Sequence, residues 1–204
     1  RSGVASVKGN AAVRGWLKGS EMPRPTHILA VGKAAVSMFE GLPSEWRAFT
    51  PSLIVTKTGH IGNTELGRNV VALEASHPVP DKTSLIAGKR VLDFVESCRS
   101  DSRLLMLVSG GASSLIEHLR EGVGYSQLVE ATTSALGEGA DIAEINRRRK
   151  GLSALKGGKL LSSFIGVQVH VLAVSDVSGD GIDVIGSGLG ACPDQPDFSY
   201  SFQV

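Results

Sequence analysis

Short apolar runs alternate with longer stretches in which apolar residues recur every three or four positions, the pattern of a largely parallel sheet covered by helices. The first run, His27-Ile28-Leu29-Ala30-Val31, ends at Gly32-Lys33 and leads into the helix-forming stretch Ala34-Ala35-Val36-Ser37-Met38-Phe39. This reads as strand, tight turn, helix. Ser52 to Thr56 and Val70 to Leu73 are the second and third predicted strands, stopped by Gly59 to Gly62 and by Ser76-His77-Pro78-Val79-Pro80-Asp81. A helix follows Asp81, with Leu85, Ile86, Val91, Leu92 and Val95 as its apolar contacts, and Arg103 to Val108 is a central strand running into a Gly-rich turn.

Helical periodicity then covers Ser113 to His118, Tyr125 to Leu136 and Ile142 to about Phe164, the third interrupted near its end by Gly157-Gly158. Asp141 followed by Glu144 imitates a capping box at its start. A last strand, Val167 to Val174, delivers Ser175-Asp176 into a loop rich in glycine. From Ala191 to Val204 no periodicity is evident, so residues 1–190 are expected to form one domain and 191–204 a linker or cut end. The predicted fold class is α/β, a Rossmann-like three-layer domain with a largely parallel sheet and helices on both faces.

With 204 residues, 42% of them hydrophobic, the chain can bury a sizeable core. Its net charge of +1 gives no global field toward nucleic acid or a membrane surface, so any anion site must be local. Cys98 and Cys192 have no metal-ligand spacing, which suits a reducing compartment. No run approaches the roughly 20 apolar residues of a membrane span, and a cytoplasmic protein is expected.

Ligands of open α/β sheets bind outside the carboxyl ends of the strands. Four such ends carry glycine or polar residues: Gly32-Lys33, Thr56-Lys57-Thr58-Gly59, Ser109-Gly110-Gly111-Ala112-Ser113 and Ser175-Asp176. In the third, two glycines let backbone approach a ligand while the next helix offers unpaired N–H groups, an anion cradle, although a tight turn with nothing bound needs the same glycines. Lys33 is a compact charge suited to phosphate, yet neither a P-loop nor a Gly-x-Gly-x-x-Gly fingerprint surrounds it. Asn146, Arg149, Ser153 and Lys156 recur at helical spacing and are expected on one polar face, which favours a small anion over a solvated charge run. Asp176, Asp180 and Asp183 lack the remaining ligands of a calcium loop, but Asp176 or Asp180 could hold Mg²⁺ or accept a substrate proton. His77 is either a ligand contact or a loop residue, and His27 and His170 are expected to pack.

Taken in order, Val31-Gly32-Lys33-Ala34-Ala35, Ser76 to Asp81, Leu107-Val108-Ser109-Gly110-Gly111-Ala112-Ser113-Ser114-Leu115, Ile145-Asn146 with Arg149-Lys150, Leu155-Lys156-Gly157-Gly158-Lys159-Leu160, and Ser175-Asp176-Val177 with Gly179-Asp180 resemble the amino-terminal domain of the type II glycerate kinases. That family's second domain is called MOFRL, and Leu189 in place of the usual proline, followed by the unpatterned 191–204, leads us to expect none here. Two residues depart from the pattern: Ala112 stands where a third glycine is usual and Leu189 where a proline is. The resemblance implies transfer of the ATP γ-phosphoryl group to glycerate with Mg²⁺, giving 2-phosphoglycerate. It implies Lys33, Arg149 and Asp176 as catalytic residues, Asp180 as a metal ligand, and Ser109, Gly110, Gly111, Ala112, Ser113, His77, Asn146, Lys150 and Lys156 as contacts to substrate or nucleotide. A homo-oligomer is compatible with this reading; nucleic acid and membrane are not expected partners. The alternatives are a hydroxypyruvate reductase and a non-catalytic anion-binding module.

Overall fold

The computed structural model describes residues 2–137, 139, 142–175, 181–191 and 198–203. Its centre is a six-stranded sheet of β1 (His27–Val31), β2 (Ser52–Lys57), β3 (Val70–Ala75), β4 (Arg103–Ser109), β5 (Gln168–Val174) and β6 (Phe198–Gln203), in the order β3-β2-β1-β4-β5-β6. Every pairing is parallel, with Ile28 opposite both Ser52 and Leu105. A strand buried on both faces must be apolar at every position, because alternate side chains point to opposite layers. Strand β4 shows this directly: Leu104, Met106 and Val108 join one core, Leu105 and Leu107 the other.

The first core packs under α4 (Lys82–Glu96), α5 (Ala112–Leu115) and α8 (Lys159–Ser162), and the second under α1 (Ser2–Lys18) and α2 (Ala35–Glu40). The fold is therefore three-layered with helices on both faces, as the pattern predicts. Each fully buried aliphatic side chain contributes roughly 1.5–3 kcal/mol relative to exposure. Helix α4 starts where expected: Asp81 accepts the N–H groups of Thr83 and Ser84, and the Ser84 hydroxyl returns a bond to the Asp81 N–H. Its apolar stripe, Ala87, Val91 and Val95, faces the sheet. Gly88 lets it approach the chain after α5, since a Cβ there would lie 2.1 Å from the Glu117 carbonyl oxygen.

Three expectations need correction. The helix expected from Ile142 to Phe164 is broken: α7 (Ile142–Leu152) ends, and the chain turns before α8. After Leu152 the backbone pairs with residues 118–120 instead, Ala154 N–H donating to the His118 carbonyl at 2.7 Å and Leu152 accepting from Arg120 at 2.9 Å. The Ser153 hydroxyl takes the N–H groups of Leu155 and Lys156, offering them an alternative to the helix. Ser153 and Lys156 thus leave the helical face they were expected to share with Asn146 and Arg149. The helix expected over Ser113 to His118 is the single turn of α5, ended by an extended Ile116. Residues 198–203, expected as part of a linker or cut end, form β6 beside β5. Asp141 of the expected capping box lies outside the described residues. Helices α3 (Ser44–Phe49) and α6 (Tyr125–Gly137) complete the chain, α6 packing on α7.

Candidate functional site

The strand order reverses between β1 and β4: the chain leaves β1 toward β2 and leaves β4 toward β5. Connections diverging in this way open a crevice outside the carboxyl ends of the two strands. On the β1 side, Gly32 adopts φ +134°, and a Cβ there would sit 2.1 Å from the Ser109 hydroxyl oxygen and 2.6 Å from its carbonyl oxygen. Only glycine fits between the two strand ends. The turn is stitched on both sides: Thr56 donates its hydroxyl to the Gly32 carbonyl at 3.0 Å, Lys33 N–H donates to the Gly110 carbonyl at 3.0 Å, and Ala34 N–H donates to the Ser109 hydroxyl at 3.0 Å.

Across this seam Gly111, at φ +89°, caps α5 without any side-chain cap. The first N–H groups of the turn therefore have no intrahelical acceptor. A Cβ on Gly111 would meet the His77 ring, at 2.9 Å from Cδ2 and 3.0 Å from Nε2, and the Lys33 Cγ at 3.1 Å. Lys33, His77 and the start of α5 thus converge on one point. Burial, then the charges of Lys33 and Lys57, then His60, hold the His77 pKa below its ordinary value, so the ring is neutral at pH 7. Exposed lysine, neutral imidazole and N–H groups with no acceptor among the described residues together make a surface for an anion.

Behind α5 lies a second group of charges. Arg149 is 7% exposed and donates from Nη2 to the Ser113 carbonyl at 2.7 Å, while its Nε has no hydrogen-bond partner among the described residues. Burial lowers its pKa, with Glu117 opposing. Lys156 and Glu117 are fully buried and paired with each other, and Lys156 also donates to the Ile116 carbonyl at 3.3 Å. Burial pushes the Lys156 ammonium down to about 8 against the pull of Glu117. Both ends of α5, at Ser113 and Ile116, are therefore held by cations from the segment that follows α6.

Ser113 also meets Ser187, hydroxyl to hydroxyl at 2.8 Å. Ser187 lies in a 3₁₀ turn (Ile185–Ser187) at φ +60°, between Gly186 at +60° and Gly188 at +72°. Among the described residues it is the one non-glycine with positive φ, a conformation held only where surroundings over-determine it. Its carbonyl accepts from Gly157 N–H at 3.0 Å and that of Gly188 from Gly158 at 2.9 Å, so two glycine pairs lock the turn against the segment carrying Lys156.

A family model described as a domain of unknown function, DUF4147, matches residues 1–204. The chain belongs to the DUF4147 family. D-glycerate 2-kinase of Thermotoga maritima is 40% identical over 182 residues, covering 85% of this chain and 40% of that protein. A protein of Agrobacterium vitis named for hydroxypyruvate reductase is 36% identical over 162 residues, covering 79% of this chain and 41% of its own. The crystal structure of glycerate kinase from Thermotoga maritima superposes with a TM-score of 0.77 at 36% identity, covering 92% of this chain and 45% of that one. This DUF4147 domain spans about two fifths of the length of the curated relatives it matches.

Within the DUF4147 domain, the crevice brings together Lys33, His77, Gly110, Gly111, Ala112 and Ser113 of the sequence-predicted set, Ala112 through its backbone because its side chain is fully buried. Ser109 is a correction: its hydroxyl is used by Ala34 and only 3% of the residue is exposed, so it shapes the crevice without facing it. Lys156 is another, its charge being committed to Glu117 behind α5. Arg149 reaches α5 instead of open solvent. Lys150 donates to the Asp183 carbonyl at 2.8 Å, at the edge of the glycine loop. Asp176, Asp180 and the Asn146 side chain lie outside the described residues. His27 and His170 pack as expected, against Phe94 and Trp16. Sequence reasoning missed Glu117, Ser187 and His60. The Gly186-Ser187-Gly188 triplet was the available signal for Ser187, while nothing in the spacing marks Glu117.

Proposed function

We propose that this domain supplies the anion-binding crevice of a glycerate 2-kinase, which transfers a phosphoryl group from ATP to D-glycerate. The observation that carries the reading is the convergence of Lys33, His77 and the open N–H groups of α5 on Gly111, at the strand-order reversal. Phosphoryl transfer asks little covalent chemistry of a protein; it asks for positioning and charge neutralisation. Lys33 would place its ammonium on a phosphate or carboxylate oxygen, and the N–H groups of Gly111 to Ser113 would hold a second oxygen. Arg149 would act through Ser113, fixing the direction of those N–H groups. Asp176 would orient the glycerate hydroxyl. Mg²⁺ would arrive with the nucleotide and meet Asp180 or Asp176, one or two carboxylates being sufficient. Among the described residues no group of three His, Cys, Asp or Glu side chains is placed to hold a metal.

A hydroxypyruvate reductase is the second reading. The strand order is that of dinucleotide-binding folds, and the Agrobacterium vitis relative carries the name. Against it, the first strand-to-helix turn reads Gly32-Lys33-Ala34-Ala35, with a lysine where a dinucleotide site needs further glycines. No helix among the described residues is long and apolar enough to cross a membrane, and a cytoplasmic location is part of the proposal. The test is to incubate the protein at its full natural length with ATP, Mg²⁺ and D-glycerate, follow ADP release, and identify the product by phosphorus NMR. Glycerate-dependent ADP with a phosphoglycerate signal is the expected result. Absence of turnover, together with NADH or NADPH oxidation on hydroxypyruvate, would replace the kinase by the reductase.

A further inference from the structure

Lys57 lies in the second of the four strand ends and His60 follows it, and neither is among the residues assigned to the ligand above. Lys57 ends β2, two strands from the cradle in chain order but beside β1 in the sheet. His60 follows in a tight turn, its N–H donating to the Lys57 carbonyl at 2.9 Å. The His60 Nδ1 lies 3.2 Å from the Lys33 carbonyl oxygen. A carbonyl only accepts, so Nδ1 carries the proton and Nε2 is the ring nitrogen left to a ligand. That bond also ties the Lys33 backbone to the β2 turn. His77, from the loop after β3, presents its Nε2 edge to Gly111.

We infer that Lys57 and His60 complete, with Lys33, a polyphosphate subsite around His77, and that His77 takes up a proton from water when the anion binds. This rests on the reading of the crevice as an anion site. Lys33 and the His77 ring meet at Gly111, His60 lies against the Lys33 carbonyl, and Lys57 ends the strand that leads to His60, so the charges of all three reach His77. The Gly111 backbone beside the ring brings no negative side chain. The neighbouring carboxylates are bound to backbone. Glu74 accepts the N–H of Ile61 at 3.0 Å, and the backbone N–H groups of residues 59 to 61 hold it in its charged form, with a smaller pull from the His60 charge. Asp81 is turned into the first turn of α4 as its cap. With no anion present, a proton on His77 would add a charge to two lysines in a half-buried place, and the ring stays neutral. A bound anion reverses the sign of that environment and makes the second N–H of His77 a donor to it.

The probe is methanedisulfonate, a pyrophosphate-shaped dianion whose acid groups stay ionised throughout, so any proton taken up belongs to the protein. The Cε1–H signals of the 5 histidines are followed by NMR against pH, with and without saturating probe. The His77 midpoint is expected to rise by about one pH unit or more on binding, while those of His27 and His170 stay in place. Lys57→Met is expected to weaken probe binding about tenfold and to raise the His77 midpoint in the free protein, a change that a merely structural lysine would not cause. Binding that leaves the His77 midpoint unmoved, or an unchanged affinity in Lys57→Met, overturns the inference and leaves the anion crevice standing. Failure of both methanedisulfonate and inorganic pyrophosphate to bind removes the crevice reading, and the inference with it.

Discussion

Lys156 separates a packing role from a ligand-binding role. It is fully buried with Glu117, whose Oε1 already has no hydrogen-bond partner among the described residues. Lys156→Met leaves the carboxylate without its principal counter-charge, and breaking a buried pair from one side costs about 3–5 kcal/mol. Arg149 and Lys159 also act on Glu117, which points to the low end of that range. For a chain of 204 residues the loss corresponds to a fall in Tm of roughly 6–20 °C, at 2–4 °C per kcal/mol. Glu117→Leu with Lys156→Met removes both charges, and the double variant should recover to within about 1–2 kcal/mol of the parent. The assay is chemical denaturation followed by circular dichroism, beside a calorimetric titration with pyrophosphate. The double variant should retain its anion affinity, because neither group reaches the crevice. A Lys156→Met protein of parental stability that no longer binds anions would refute this reasoning and return Lys156 to the ligand.

Gly32→Ala should cost more than about 3 kcal/mol, because the added Cβ meets Ser109 at 2.1 Å in a backbone conformation that side chains rarely adopt; a thermal melt within a degree of the parent would contradict the seam described above. Lys33→Ala should weaken pyrophosphate binding about tenfold or more without changing Tm, whereas Arg149→Ala should lower both affinity and Tm, since it also strips the Ser113 carbonyl of its guanidinium donor and Glu117 of one of its counter-charges. Equal Tm values for the two variants would show that Arg149 does not anchor α5. Burial pushes the Cys98 thiol up to about 11. In a Cys192→Ser background it should resist a disulfide reagent at pH 8 when native and react once unfolded. A raised thiol keeps its full contribution below the unfolded value, so stability should fall as pH rises from about 9 to 11.

The sheet was legible because a strand buried on both faces has no choice of residue. His27 to Val31, Ser52 to Lys57 and Arg103 to Ser109 are apolar runs ending in glycine or a polar residue, and each became a strand of the predicted type. The α4 start was legible for a similarly local reason, Asp81 and Ser84 closing their own capping box. Strand β6 left a signal that went unused, the alternation Phe198-Ser199-Tyr200-Ser201-Phe202, with the period of two expected of a strand. The end of α7 left no comparable signal. Leu152 to Lys156 continues a helical pattern, but pairing with residues 118–120 removes its backbone from the helix, and that partner is distant in sequence.

The amino-acid sequence by itself determined the layer architecture, the glycine turns at the strand ends and the presence of an anion-suited lysine after β1, because each depends on residues close together in the chain. Only tertiary structure decided which cations face the crevice. Lys33 and Lys156 are equally charged and both adjoin glycines, yet one stands exposed at a strand end and the other is shut behind α5 with Glu117. Solvent access and counter-charge separate them, and both are set by segments that meet only when the sheet has assembled.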